Sequence, residues 1–195
     1  MSDKFKIIGI CGSLRKASYN LAALKAAQEL SPAEAEIEIF DLAGIPVYNQ
    51  DDEGKPPARV AELKSKVQAA NAVLIATPEY NYSIPGPLKN AIDWASRPYG
   101  QSCWNGKPVA LMGASPGTLG TARAQYHLRQ CFVFLNMYAL NAPEVMISAA
   151  QQRFDASGKL TDETSRKLIR QLVERLIVYT RQLESAGISK APSTT

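Results

Sequence analysis

Short apolar runs alternate along the chain with stretches in which apolar residues recur every three or four positions. Phe5–Cys11 has the length and composition of a buried strand, and beyond it Leu21, Leu24, Ala27 and Leu30 fall at helical spacing. Ala35–Phe40 alternates with period two and ends at Asp41, as an edge strand would. Ala43–Pro57 is rich in Gly, Pro, Asn and Asp and reads as a long loop; Ala58–Ala70 regains helical spacing through Val60, Leu63 and Val67. Ala72–Ala76 is continuously apolar, which suits a central parallel strand covered on both faces. Pro85–Ser96 predicts a helix with Pro87 in its first turn, an apolar face of Leu88, Ala91, Ile92 and Ala95, and a Lys89–Asp93 pair one turn apart. Lys107–Gly113 predicts a further buried strand with Pro108 at its start, and Thr121 to about Leu135 a helix. Ala142–Ile147 reads as a last strand. Thr161–Leu183 reads as a long closing helix that buries Leu168, Leu172, Leu176 and Leu183. Residues 185–195 read as a disordered tail, which leaves one domain over residues 1–184.

Five strands joined by crossover helices specify an α/β fold, a doubly wound parallel sheet with helices on both faces. Such sheets bind ligands beyond the carboxyl ends of their strands, where the strand order reverses. The loops after the first, third and fourth strands are therefore expected to line one site.

Composition narrows the choice of ligand. A net charge of +4 is modest, and Lys and Arg are dispersed among Asp and Glu, so nucleic acid is not expected. No apolar run is long enough to cross a bilayer, and the N-terminus runs straight into the first strand, so a cytoplasmic protein is expected. Cys11, Cys103 and Cys131 form no C-x-x-C pair and read as reduced thiols, with Cys11 buried; no metal cluster is expected. His127, the only histidine, falls within a helix and reads as structural or interfacial.

The first loop, Gly12–Asn20, carries Ser13, Ser18 and Asn20 as small hydrogen-bonding residues and Arg15 as a fixed charge. It opens a helix, whose free N–H groups and partial positive charge suit a phosphate, or it is an ordinary polar loop capped by Ser18. The third-strand loop, Thr77–Gly86, holds two prolines that stiffen an extended backbone and two tyrosines, Tyr80 and Tyr82. A planar ring stacked there would employ the tyrosines while backbone groups read its polar edge; the other reading is a rigid turn whose tyrosines cap the core. The fourth-strand loop, Ala114–Gly120, offers the Ser115 hydroxyl, and Gly117 and Gly120 permit close approach or positive φ. An anion site, a ring site and a small-residue wall together fit a mononucleotide with an aromatic ring system, and FMN is the natural candidate. Neither G-x-G-x-x-G nor G-x-x-x-x-G-K-[ST] is present, and Asp41 without those glycines reads as a surface residue. Arg15, Lys16, Lys89 and Arg97 are expected around one mouth of the site, where they would favour anions such as a nucleotide phosphate or chromate.

The stretches Gly12–Asn20, Pro78–Trp94 and Ala122–Gln130 resemble the NADPH-dependent FMN reductase family, nearest to its bacterial chromate and quinone reductase branch, which overlaps with azoreductases. The resemblance covers about Phe5 to Met146. It implies a flavodoxin-like fold with strand order 2-1-3-4-5, one non-covalent FMN, and two-electron reduction of quinones by NADPH or NADH. Chromate, azo compounds and free flavin are further acceptors on this view. Carried over by position, Ser13, Arg15, Ser18, Tyr19 and Asn20 would hold the phosphate and ribityl end. Pro78, Glu79, Tyr80, Asn81 and Tyr82 would hold the isoalloxazine, with Ser115 and Gly117 lining its far side. The resemblance further implies a homodimer or homotetramer, with Arg123, Tyr126 and Glu144 at the tetramer contact. One departure is the fourth loop, Ser-Pro-Gly-Thr-Leu-Gly-Thr, where many relatives carry a glycine pair; this bears on the nicotinamide side of the flavin.

The expected mechanism is ping-pong hydride transfer: NAD(P)H reduces the flavin and leaves, and a quinone takes its place. No side chain need act as a nucleophile. Two readings from other classes compete: a flavodoxin-type one-electron carrier, and a non-catalytic flavin- or nucleotide-binding redox sensor.

Overall fold

The computed structural model describes residues 4–189. Its sheet is wholly parallel: β1 (Phe5–Cys11) lies between β2 (Ala35–Phe40) and β3 (Ala72–Ala76), and β3 pairs with β4 (Pro108–Ala114). β5 (Tyr138–Ala139) and β6 (Val145–Ile147) both pair with β4, giving the expected order 2-1-3-4-5. The single last strand expected at Ala142–Ile147 is in fact two pieces. Tyr138 and Ala139 run beside Pro108 and Val109, the chain then leaves the sheet, and Val145–Ile147 returns beside Met112–Ala114. Pro143 lies in the gap, and a residue without an N–H cannot extend the ladder.

Side chains alternate across the sheet. Ile7, Leu74 and Met112 face α1 (Tyr19–Leu30) and α5 (Glu163–Ser185). Ile8, Ile75 and Leu111 face α2 (Ala58–Ala69), α3 (Gly86–Ala95) and α4 (Ala122–Leu135). With both faces covered, the central strands have no polar side to show, hence their unbroken apolar runs. β2 is an edge strand and keeps its alternation, with Glu36 and Glu38 exposed.

The closing helix differs in detail from its expectation. Asp162 caps it by accepting from the Ser165 N–H at 2.8 Å. Its buried stripe runs through Ile169, Leu172, Val173, Leu176, Ile177 and Thr180, and Leu168 and Leu183 are only half-buried. At 3.6 residues per turn Leu168 falls on the flank of that stripe, whereas Leu183 is in line with Leu172 and Leu176 but lies in the last turn of the helix. The tail expected from Ser185 also fails at its start. Ser185 is helical, and Gly187, at φ +69°, closes the helix with Gly187 N–H donating to the Glu184 carbonyl and Ile188 N–H to the Leu183 carbonyl. The rest of that stretch lies outside the described residues. Among the described residues, no helix is long and apolar enough to cross a membrane.

At the carboxyl edge each central strand hands its ladder one residue further. Gly12 N–H donates to the Ala76 carbonyl at 2.9 Å, Thr77 N–H to Met112 at 3.0 Å, and Ser115 N–H to Ile147 at 2.9 Å. The loops after β1, β3 and β4 therefore leave the sheet side by side, as the switch-point rule requires.

Candidate functional site

Gly12 lets the first two of these loops touch: a Cβ there would sit 3.0 Å from both Pro78 Cδ and Pro85 Cγ. Beyond it the chain makes a small open cup. Ser13 Oγ accepts from the Arg15 N–H, and Ser18 N–H donates to the Arg15 carbonyl. Among the described residues, the N–H groups of Ser13, Leu14, Lys16, Ala17 and Tyr19 meet no acceptor. Five unclaimed donors at the start of a helix, with the Arg15 guanidinium at their rim, form a cradle for an anionic oxygen group.

Two of the polar residues in this loop build the cup rather than face into it. Ser18 is buried, and its Oγ accepts from the Asn20 and Leu21 N–H groups as the cap of α1. Asn20 is buried too; its side chain accepts from the Ala114 N–H and donates to the Ala114 carbonyl, both at 2.9 Å. That double bond clasps α1 to the tip of β4 and so sets the first loop against the fourth. Tyr19 packs on Phe154 with ring centroids 5.2 Å apart, and Arg15 lies 5.3 Å from the Tyr19 ring centre. Cys11 is buried below the cup, where burial pushes its thiol up, away from thiolate chemistry.

The third loop is not extended throughout. Tyr80 and Ser83 exchange backbone hydrogen bonds, and the residues between them, Asn81 at φ +50° and Tyr82 at φ +67°, reverse the chain in the manner of a type I′ turn. Tyrosine in the left-handed region costs about 1–2 kcal/mol. A guanidinium compensates: Arg123 lies 3.5 Å from the Tyr82 ring centre. Tyr80 and Tyr82 are 50% and 67% exposed, so they do not cap the core; the Tyr80 ring and the face of Tyr82 away from Arg123 are open to a ligand.

Glu79 sits differently from the tyrosines beside it. Its side chain is only 7% exposed. One oxygen takes Arg123 Nε at 2.5 Å, and the other accepts from the Ala124 N–H at 3.1 Å, in the first turn of α4. α4 has no side-chain cap of its own, since Thr121 at its start is left-handed and makes no capping bond. The carboxylate from loop three therefore caps it, with favourable charge for that end of a helix.

The fourth loop is drawn inward by backbone bonds. Ala150 N–H donates to the Ser115 carbonyl and Ala149 N–H to the Gly117 carbonyl, while Ser115 Oγ accepts from the Gly117 N–H at 3.1 Å. Gly120, not Gly117, is the position that needs glycine: its φ is +52°, and a Cβ would lie 2.6 Å from the Met146 carbonyl carbon.

The expected ring of four cations does not form. Lys89 is bound to Asp93 at 2.7 Å, and Arg97 lies beyond the far end of α3, beside Glu53. Because α3 runs back down the sheet from loop three, Arg97 belongs to the opposite edge; Arg15 and Lys16 alone stay with the first loop. Of the three residues expected at a contact between copies, Tyr126 donates from its hydroxyl to Glu144 at 3.1 Å, whereas Arg123 is engaged with Glu79 and Tyr82. His127 is exposed on α4 with Nδ1 3.2 Å from Ser83 Oγ, at the base of the loop-three turn. The clasps made by Asn20 and Glu79 join residues 94 and 45 positions apart, and no local spacing marks them.

The family model for NADPH-dependent FMN reductase matches residues 5–152. An NAD(P)H-dependent FMN reductase of Pseudomonas aeruginosa is 56% identical over 185 residues, covering 94% of this chain and 99% of that protein. A quinone reductase of Pseudomonas putida is 41% identical over 182 residues, covering 93% of this chain and 97% of that protein. Among solved structures, the flavoenzyme NAD(P)H:(acceptor) oxidoreductase FerB of Paracoccus denitrificans superposes with a TM-score of 0.83 at 37% identity, covering 91% of this chain and 97% of that chain.

Proposed function

The chain belongs to the NADPH-dependent FMN reductase family, and from that premise we propose that it is an NAD(P)H-dependent, FMN-binding quinone reductase. One observation carries the reading: a cradle of five unclaimed N–H groups and Arg15 stands beside an exposed tyrosine turn and the Ser115 loop, at the switch point of the sheet. FMN held there would supply the redox chemistry, two-electron exchange between NAD(P)H and the acceptor. The chain's own residues bind and orient. Arg15 and the N–H groups from Ser13 to Tyr19 receive the phosphate, while Ser18 and Asn20 hold the cup in shape. The Pro78–Tyr82 backbone and the two tyrosine rings would border the isoalloxazine, and Ser115 and Gly117 would form the opposite wall. Donor and acceptor use the same open face in turn, a ping-pong order that also admits chromate, azo compounds and free flavin.

This reading extends to a cytoplasmic setting, in keeping with the free thiols Cys11, Cys103 and Cys131. It extends also to assembly from copies of the chain, with Arg123, Tyr126 and Glu144 at the contact. An exposed apolar stripe on α4 favours such a contact, because Tyr126, Val133 and Phe134 stand on its outer side.

The test is a visible spectrum of the purified protein with FMN, followed anaerobically on adding NADPH or NADH and then benzoquinone. Flavin bands that bleach with either nicotinamide and return with quinone are expected. A protein that takes up no FMN, or one whose bound flavin neither nicotinamide bleaches, overturns the reading.

A further inference from the structure

Next to the phosphate cradle a cavity of about 770 Å³ runs down the outer face of α1, closed on its far side by the Asp155–Lys159 turn that precedes α5. Four cations border it: Arg15 and Lys16 from the first loop, Lys25 from α1 and Lys159 from the turn. Among the described residues none of the four is within ion-pair distance of a carboxylate. The two carboxylates on the wall are already engaged. Glu29 accepts from Arg166 at 2.8 Å, and Asp155 accepts from Ser157 N–H, Ser157 Oγ and Lys159 N–H at 2.6–2.9 Å. The floor is apolar, made by Leu21, Ala22, Ala26 and Leu160 with the Tyr19 ring at one end. A basic rim over an apolar floor suits a flat heterocycle carried on phosphate, and the volume lies within the range of small-ligand sites, about 300–1,000 Å³.

The position of the cavity selects which such ligand. Arg15, Lys16, Ala17 and Tyr19 belong both to the cradle and to the lining of the cavity. A phosphate held by the cradle therefore lies beside the cavity, and a second group esterified to it, on the side away from the ribityl chain, has the cavity within reach. We propose that the cavity receives the adenylate half of FAD, so that the loop accepts the dinucleotide as well as FMN. Lys25 and Lys159 then face the second phosphate, and the adenine lies on the apolar wall of α1. The inference rests on the placement of the flavin phosphate at the first loop.

Equilibrium dialysis of the flavin-free protein against FMN and against FAD tests it without reference to turnover. FAD is expected to bind within tenfold of FMN. The double variant Lys25→Gln, Lys159→Gln removes two unpaired charges, and Ala156→Trp fills the cavity from an exposed position on the turn. Each is expected to weaken FAD at least tenfold while changing FMN less than threefold. FMN binding with no FAD binding overturns the cavity assignment and leaves the cradle intact, as does FAD binding that ignores both variants or FMN weakened as much as FAD. Failure of FMN itself to bind overturns the cradle and the cavity together.

Discussion

Replacing Glu79 by alanine removes the side chain on which loop three and the start of α4 both depend. The carboxylate is 7% exposed, accepts from the Ala124 N–H at 3.1 Å, and holds Arg123, which is itself 35% exposed on its side chain. Loss of a helix cap costs about 1 kcal/mol, and loss of a hydrogen bond to a charged group about 1.5–3 kcal/mol. The ion-pair share is discounted, because the freed guanidinium can rehydrate. A total near 2–3 kcal/mol is expected, or a fall of roughly 5–10 °C in melting temperature for a chain of this size. Glu79→Gln keeps an oxygen for the Ala124 N–H and should lose about half as much, whereas Arg123→Ala should lose less than either, because its guanidinium is open to water. In a double-mutant cycle Glu79 and Arg123 should couple by less than the whole Glu79→Ala effect, since the Ala124 bond survives without Arg123. Thermal and urea unfolding of the flavin-free variants, followed by circular dichroism, supply these values. A Glu79→Ala protein as stable as the parent, or a glutamine variant no better than the alanine one, would show that the carboxylate does not hold α4.

Three further outcomes follow from the same geometry. Arg15→Ala should weaken FMN by about 1.5–3 kcal/mol, a rise in Kd of roughly ten- to a hundredfold, and an unchanged dialysis curve would remove Arg15 from the site. The Asp162 carboxyl is held below the usual carboxylate range by its bonds from Ser165 and by Arg153. Its contribution is thus whole above about pH 4 and is lost as pH falls through the lower folded value, so Asp162→Asn should flatten the acid limb of the stability profile; parallel urea midpoints from pH 7 downward in the two proteins would refute this. Val133 is 84% exposed on α4, so Val133→Glu should leave the fold intact and shift sedimentation toward smaller species, and an unaltered sedimentation profile would exclude this helix face from the contact between copies.

Much of this architecture is legible in the chain because it rests on local chemistry. Central strands buried on both faces must be continuously apolar, so Ala72–Ala76 and Pro108–Ala114 announce themselves, and α1 carries its own cap in Ser18. The split of β5 from β6 is harder to see, because Tyr138 and Ala139 form a strand only through their register with Pro108 and Val109. The loops that meet at the site are equally legible by composition. What their side chains do there is not, since direction is set by partners far along the chain. Asn20 carries the same donors whether it meets a phosphate or Ala114, and Glu79 the same oxygens whether it borders a ring or caps a helix. The cation expected at the site from Arg97 fails for a related reason: α3 is long enough to carry that residue to the opposite edge of the sheet.

The division of labour that results suits chemistry done by a bound cofactor. A protein that performs its own acid–base or nucleophilic step must aim reactive side chains at the substrate and tune them there. Here the groups that could serve are turned away: the Glu79 carboxylate lies on Arg123 and a helix terminus, the Asn20 amide on a strand end, and the Cys11 thiol beneath the cup. What faces the three loops is chiefly backbone N–H, the Arg15 guanidinium, two tyrosine rings and small residues, a set suited to binding and orienting a ligand. The polar side chains fix the loops to one another, and a rigid frame of that kind suits a cofactor whose work depends on being held at a set position and orientation.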